Sequence, residues 1–178
     1  MDRKHLPAVL FIMLFSLFVI WIVSGGRSGS KTVSGFTLPA INIVTAAGKE
    51  QIRTDRVRPV IIMCFSSYCE HCAYELNIID KSPGMFTGTR LYLVTSENNY
   101  LASGKYNKWK TILADTNIKF CIADKKEFES KIESVRTPSL YFFTKDGYLT
   151  DKIYGEAKRD RIWKGIENAR RRAESGNK

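Results

Sequence analysis

The chain has 178 residues, a formal net charge of +10 and 44% hydrophobic residues. An apolar segment occupies most of the first two dozen residues, so about 150 residues remain for globular structure, which is enough for one ordinary domain and excludes several. The sequence contains no internal repeat, and its only low-complexity tract is a short Ser/Gly stretch over residues 24–30.

A membrane anchor is predicted at the amino terminus. From Leu6 to Val23 every residue is apolar except Ser16. As a helix this segment would be about 27 Å long, close to the hydrocarbon thickness of a bilayer. A cleaved signal peptide is the alternative, because residues 24–26 offer small side chains near a cut site, but the bulky end of the segment at residues 21–23 favours the anchor. In both cases the domain that follows is exported.

Composition divides the chain into five segments. These are a basic flank at 1–5, the transmembrane anchor at 6–23, a flexible linker at 24–34, the domain at 35–173 and a tail at 174–178. The arrangement predicts a single domain tethered to the outer face of a membrane.

The first elements of the domain are predicted to be strands. Short alternating stretches at 41–44 and 50–53 flank Ala47-Gly48 and indicate an N-terminal hairpin. The apolar run from Val60 to Phe65 is typical of a buried strand, and a helix is expected from about Glu70 to Lys81, where Ser82-Pro83-Gly84 ends it.

Between this strand and this helix lies Cys69-Glu70-His71-Cys72, a pair of cysteines separated by two residues. Two thiols at this spacing can exchange electrons with other disulfides. The motif places Cys69 at a helix N-terminus, where unpaired backbone N–H groups and the helix dipole favour a thiolate. The expected chemistry is therefore thiol-disulfide exchange, with Cys69 and Cys72 as a redox-active disulfide and no other cofactor.

Other uses of a Cys-x-x-Cys motif fit less well. A structural zinc site needs a second pair of ligands, and neither Cys64 nor Cys121 belongs to such a pair, so no metal site is predicted. Haem attachment needs a histidine directly after the second cysteine, where this chain has Ala73. A permanent disulfide across so short a loop would constrain the unfolded chain little and would be easily reduced.

The rest of the chain alternates strands and helices, which predicts an α/β domain with a mixed sheet covered on both faces. The expected elements are a strand at 91–94, a helix over 98–113, a strand at 118–122, a helix over 124–132, a hairpin with strands at 139–144 and 148–154, and a basic helix after Gly155. Cys64 and Cys121 fall in predicted buried strands and are interpreted as small apolar residues, a bridge between them being the less favoured alternative.

The basic C-terminal helix could indicate nucleic-acid binding. An exported domain seldom meets nucleic acid, and no aromatic-rich basic motif accompanies the charge. A solvated helix face near anionic lipid is the favoured interpretation.

Four motifs in order resemble the thioredoxin superfamily, and more closely its membrane-anchored TlpA/ResA-like branch of extracytoplasmic thiol-disulfide oxidoreductases. The resemblance covers about Gly35 to Arg171. The motifs are Phe36-Thr37-Leu38-Pro39 as the opening segment, Cys69-Glu70-His71-Cys72 as the active-site motif, Thr137-Pro138-Ser139 as the proline loop and Lys145-Asp146-Gly147 as the hairpin turn.

The resemblance implies roles for several of these residues. Pro138 would be a cis proline beside the dithiol, and together with Thr137 it would form the substrate groove. Glu75 is similar to a glutamate that ResA-like proteins place near the active site for proton handling, a surface acid being the alternative. Glu70 and His71 would tune the redox potential in opposite directions, because an acid disfavours a neighbouring thiolate and a protonated histidine stabilises it.

The chain also departs from the family pattern in ways that affect the potential more than the type of reaction. Tyr68 replaces the usual tryptophan, His71 and Asn77 stand where prolines are common, and Met63 stands where thioredoxins often bury an acid.

The predicted function is a membrane-anchored, extracytoplasmic thiol-disulfide oxidoreductase. Glu70 favours a reductase of protein disulfides, and the resemblance implies a membrane-embedded dithiol carrier as its electron donor, as in cytochrome c maturation. Residues 6–23 would hold the enzyme in the bilayer, and no nucleic-acid partner is expected. The alternatives are a disulfide oxidase or isomerase, favoured by His71, and a copper-handling protein that uses Cys69, Cys72 and His71.

Overall fold

The computed structural model describes residues 35–133 and 136–175. The predicted anchor, its basic flank and the linker lie outside these residues. Within the described part of the chain, no helix is both long and apolar enough to cross a membrane.

The centre of the domain is a seven-stranded mixed sheet. Its strands are β1 (Ile41–Thr45), β2 (Gly48–Ile52), β3 (Val60–Cys64), β4 (Arg90–Thr95), β5 (Ile118–Ile122), β6 (Ser139–Phe143) and β7 (Leu149–Tyr154). They lie in the order β2-β1-β5-β4-β3-β6-β7. β3 is parallel to β4 and antiparallel to β6, and β4 is parallel to β5.

Four α-helices accompany the sheet in the described residues. They are α1 (Glu70–Asp80), α2 (Lys110–Ala114), α3 (Lys125–Lys131) and α4 (Arg159–Ser175), and a 3₁₀ turn covers Lys105–Lys108. Residues of α1 and α4 belong to the apolar cluster on one face of the sheet, and Phe128 of α3 belongs to the cluster on the other face.

β3 is an interior strand, between β4 and β6, and both of its faces are apolar. All five of its residues are buried. Ile61 and Met63 belong to the cluster that contains α1 and α4, and Val60, Ile62 and Cys64 belong to the opposite cluster. A strand buried on both faces is expected to show a continuous apolar run, and this explains why its position was predictable.

The predicted hairpin at the N-terminus, the helix after the cysteine motif and the C-terminal hairpin are all present. The opening segment at 36–39 and the turn at 145–147 also meet. Leu38 N–H donates to the Gly147 carbonyl at 2.8 Å, and Leu149 N–H donates to the Phe36 carbonyl at 3.0 Å. The opening segment therefore pairs with the hairpin turn at the edge of the sheet.

The helix predicted over 98–113 is wrong. Turns occupy residues 98–104, and regular helix is confined to the 3₁₀ turn and to α2. Gly104 adopts the left-handed conformation with φ +65°, which interrupts a right-handed helix. The helical spacing of the aromatic residues reflects their packing instead, since Tyr100, Tyr106 and Phe120 have ring centroids within 6.0 Å of one another.

Candidate active site

Cys69 is the N-cap of α1. Its backbone is extended, with φ −99° and ψ 114°, and its Sγ accepts a hydrogen bond from the backbone N–H of Cys72 at 3.3 Å. A sulfur in this position takes the place of the side-chain oxygen that usually caps a helix. It is half-buried. Cys69 is therefore the more exposed of the two sulfurs, and it lies at the positive end of the helix dipole.

The register of β3 and β6 brings the proline loop to the dithiol. Cys64, at the end of β3, pairs with Ser139, at the start of β6, so the residues before Ser139 lie beside those after Cys64. The Cys69 Sγ lies 3.8 Å from the Thr137 carbonyl oxygen, and the Thr137–Pro138 bond is cis. Two motifs separated by more than sixty positions thus form one site.

Cys72 lies behind Cys69 and is fully buried. Burial raises the pKa of its thiol to about 12, and the contact with Cys69 adds to the shift. At neutral pH the thiol is therefore protonated. To act as a nucleophile, Cys72 needs a group that takes its proton at the moment of attack.

Glu75 is placed to be that group. It follows Cys72 by three residues and so shares its face of the helix, and it is 0% exposed. Its Oε1 accepts a hydrogen bond from the backbone N–H of Ala157 at 2.6 Å, whereas its Oε2 is buried with no hydrogen-bond partner. Burial raises the pKa of this carboxyl to about 7, although the Ala157 hydrogen bond opposes the shift. Near neutral pH the free oxygen can therefore either hold or accept a proton.

His71 pairs with Glu156, which follows β7. Its Nδ1 lies 2.6 Å from Oε2 of Glu156, with the two side chains 70% and 41% exposed. The hydrogen bond and the charge of Glu156 raise the pKa of His71 above its usual value, and the charge of Glu70 contributes to the same shift. Glu70 itself is exposed at the start of α1. Sequence reasoning missed Glu156, since it lies 85 positions from His71 and carries no motif.

Glu97 is a second residue that the sequence did not reveal. It follows β4 and binds the two serines that precede the cysteine motif. Its Oε1 accepts from Ser66 Oγ at 2.9 Å and from Ser67 N–H at 2.6 Å, and its Oε2 accepts from Ser67 Oγ at 2.5 Å. Burial raises the pKa of Glu97, but these hydrogen bonds outweigh burial and hold it below the usual value. The ionised carboxylate therefore fixes the segment that leads into Cys69.

An exposed aromatic side chain lies in the segment that leads into Cys69. Tyr68, directly before Cys69, is 82% exposed. Lys105 lies over the Tyr68 ring, with its Nζ 4.2 Å from the ring centroid, and donates to Ser67 Oγ at 3.1 Å. Tyr68 thus provides exposed aromatic surface directly before Cys69.

The remaining cysteines lie outside the site. Cys64 and Cys121 are both buried and unpaired, and burial raises the pKa of each thiol. Both pair with Val94 of the intervening strand β4, so two strand spacings, about 9.5 Å, separate their backbones. This exceeds the reach of a disulfide, which excludes the bridge that the sequence left as an alternative.

In residues 35–133 and 136–175, no group of three or more His, Cys, Asp or Glu side chains is arranged to hold a metal ion. The structure brings Cys69, Cys72 and the Thr137-Pro138 loop together, and Glu75 follows one helical turn after Cys72. Glu70 and His71 lie on the exposed rim of this group.

No known protein-family profile matches the chain, and no curated protein sequence matches it. The fold, however, is shared with solved structures. A peroxiredoxin-like protein from Aquifex aeolicus superposes with a TM-score of 0.62 at 10% identity, over 76% of this chain and 86% of that chain. A thio-disulfide isomerase from Thermus thermophilus gives a TM-score of 0.58 at 15% identity, over 76% and 95%.

An exposed lipoprotein thioredoxin from Streptococcus pneumoniae also superposes, with a TM-score of 0.56 at 17% identity, over 72% of this chain and 98% of that chain. At such identities the likeness establishes the fold. The chain has a thioredoxin-like α/β fold, which confirms the fold predicted from its four motifs.

Proposed function

We propose that this chain is a thiol-disulfide oxidoreductase of the TlpA/ResA-like type, and that it reduces protein disulfides outside the cytoplasm. One observation carries the proposal. The buried thiol of Cys72 lies one helical turn from a buried carboxyl, Glu75, whose Oε2 has no partner and whose pKa is about 7. A carboxyl in this state suits proton transfer at neutral pH, and a buried acid with a purely structural role would have both oxygens satisfied.

The reaction begins at Cys69. Its thiolate attacks one sulfur of the substrate disulfide, forms a mixed disulfide and releases the other substrate sulfur as a thiolate, which takes a proton from solvent. The N–H groups at the start of α1 stabilise the attacking anion. Tyr68 offers the substrate an apolar contact beside the reacting sulfurs.

Cys72 completes the reaction. Glu75 accepts the Cys72 proton through its free oxygen, and the resulting thiolate attacks the Cys69 sulfur of the mixed disulfide. The second substrate sulfur leaves as a thiolate and is protonated. Two electrons pass to the substrate and the enzyme ends as the Cys69–Cys72 disulfide, so the reaction needs no other cofactor.

Thr137 and Pro138 form the substrate groove in this proposal. Thr137 is exposed and its carbonyl faces the Cys69 sulfur. An extended peptide bound along this backbone would place its own disulfide at Cys69.

A reductase in an oxidising compartment must be reduced again after each cycle. The proposed electron donor is a membrane-embedded dithiol carrier, and the substrate class includes proteins of cytochrome c maturation. Anchoring through residues 6–23 would hold enzyme and donor in one bilayer and raise their effective concentration. The similarity to an exposed lipoprotein thioredoxin supports a place at the outer face of a membrane.

The alternative is an oxidase or isomerase, and His71 is the residue that favours it. A protonated histidine next to the dithiol stabilises the thiolate and makes the disulfide easier to reduce. The carboxylates of Glu70 and Glu156 favour the protonated form of His71 but add compensating negative charge, and this compensation favours the reductase.

Trapping tests the proposal directly. In a Cys72→Ser variant the mixed disulfide cannot be resolved, so Cys69 should remain bonded to its substrates in cells. These adducts appear as bands on a non-reducing gel that vanish on reduction. Cys121→Ser is the matched control, because Cys121 is buried away from the site and its variant should form no adducts. A Cys72→Ser protein that folds and forms no adducts contradicts the proposed function.

A further inference from the structure

The segment between β7 and α4 binds three different parts of the site. Gly155 N–H donates to the Pro138 carbonyl at 2.9 Å, Glu156 Oε2 contacts His71 Nδ1 at 2.6 Å, and Ala157 N–H donates to Glu75 Oε1 at 2.6 Å. Three consecutive residues thus contact the proline loop, the rim of the cysteine motif and the buried carboxyl.

The backbone on both sides of Glu156 is held in place. Gly155 adopts a left-handed conformation with φ +76°, which favours glycine, and Ala157 is 3% exposed. An exposed ion pair usually forms weakly, because two mobile side chains must be ordered. Here the fixed backbone holds the Glu156 carboxylate close to His71, so less conformational entropy is lost when the ion pair forms.

His71 occupies the position in which a histidine can stabilise the Cys69 thiolate. The charged groups that act on it come from two elements, Glu70 from α1 and Glu156 from the segment after β7. We propose that Glu156 is a positioning residue that holds His71 in an ion pair, compensates its charge and so keeps the dithiol reducing. This inference rests on the proposed function, since it concerns the equilibrium of the same dithiol.

The equilibrium with glutathione tests the inference. The full chain, purified in detergent, is equilibrated with glutathione and glutathione disulfide, and the fraction of dithiol is measured by alkylation and mass spectrometry. Two glutathione thiols reduce the Cys69–Cys72 disulfide and become one glutathione disulfide, so the electrons balance. At pH 6, where the imidazole stays largely protonated without Glu156, the dithiol of Glu156→Gln should be favoured by about 2- to 5-fold, which makes the potential about 9 to 21 mV more positive.

The His71→Ala background separates the ion pair from other effects. Glu156 also acts through its charge on Glu75, so a shift alone would not identify His71 as its target. When His71 is absent, Glu156→Gln should change the equilibrium by less than about 1.5-fold. The matched control is Glu167→Gln, since Glu167 is exposed to a similar degree and pairs with Arg171 away from the site. It should leave the equilibrium unchanged.

Two results would overturn the inference. One is an unchanged equilibrium in Glu156→Gln, and the other is an equal shift with and without His71. The absolute potential of the unmodified chain tests the proposed function separately. A value near that of thioredoxin supports a reductase and a value near that of a strong disulfide oxidant contradicts that direction, while the difference made by Glu156 stays measurable in either case.

Discussion

Two contacts join helix α1 to the segment after β7, and they have the same length in very different surroundings. Glu75 Oε1 and Ala157 N are 2.6 Å apart in the fully buried interior, and His71 Nδ1 and Glu156 Oε2 are 2.6 Å apart at the surface. Burial raises the pKa of Glu75 to about 7, whereas the nearby carboxylate raises the pKa of His71. The two contacts therefore differ in their exposure to water and not in their length.

Because one contact is buried and the other is exposed, the two contacts have different roles. In the dry interior a charge is costly, so a carboxyl there exchanges a proton near neutral pH. At the surface, water screens both charges, so the pair can only adjust the equilibrium of the dithiol by a small factor.

The largest effect is expected on catalysis when the buried carboxyl is removed. Glu75→Gln keeps the side-chain shape and the acceptor for Ala157 but cannot take a proton. Resolution of the mixed disulfide by Cys72 should slow by about 100-fold or more, since general base catalysis contributes at least that much. Rapid-quench measurement of mixed-disulfide decay checks this result.

The pH profile of the same step sharpens this test. In the unmodified chain the rate should rise with pH and level off above about 7, where Glu75 is ionised. The variant should lack this inflection. Glu167→Gln serves as the control and should retain both the rate and the profile. A fast, pH-dependent resolution in Glu75→Gln would mean that another group accepts the proton.

The next effect concerns stability. The pKa of Glu75 is raised from its usual 4.5 to about 7, so the folded state binds more protons than the unfolded state between these values. The free energy of unfolding should therefore fall as pH rises from about 4.5 to 7, by at most about 3 kcal/mol from this group.

Urea unfolding at a series of pH values measures this fall, and Glu75→Gln should remove that part of the slope. At pH 8 the variant should be more stable than the unmodified chain, because it buries no charge at this position. Identical pH slopes in the two proteins would show that Glu75 is not desolvated.

The smallest effect is expected from the surface contact. Glu156→Gln should leave the urea midpoint of unfolding unchanged within error at pH 6 and at pH 8, because an exposed ion pair contributes little to folding. Parallel urea titrations of the variant and the unmodified chain check this. If Glu156→Gln destabilises the domain as much as a buried substitution does, water does not screen the surface contact.

Most of the site was predictable because its signals are local. The strand before Cys69 and the helix after it follow from hydrophobic patterning, and Thr137-Pro138 is a recognisable motif. Glu75 was a candidate because its spacing from Cys72 is one helical turn. The helix over 98–113 was wrong because the apolar spacing there serves an aromatic cluster rather than a helix face, and Gly104 interrupts the chain.

The sequence by itself determined the dithiol, its position at a helix N-terminus and the type of fold, because these depend on neighbouring residues and short-range periodicity. Only the tertiary structure decided that Glu75 is buried with one free oxygen, that Glu156 engages His71 and that Glu97 fixes the segment before Cys69. The physical reason is that burial and long-range pairing arise from the register of strands and the packing of distant segments. Such contacts set the pKa of each group but leave no pattern in the residues around it.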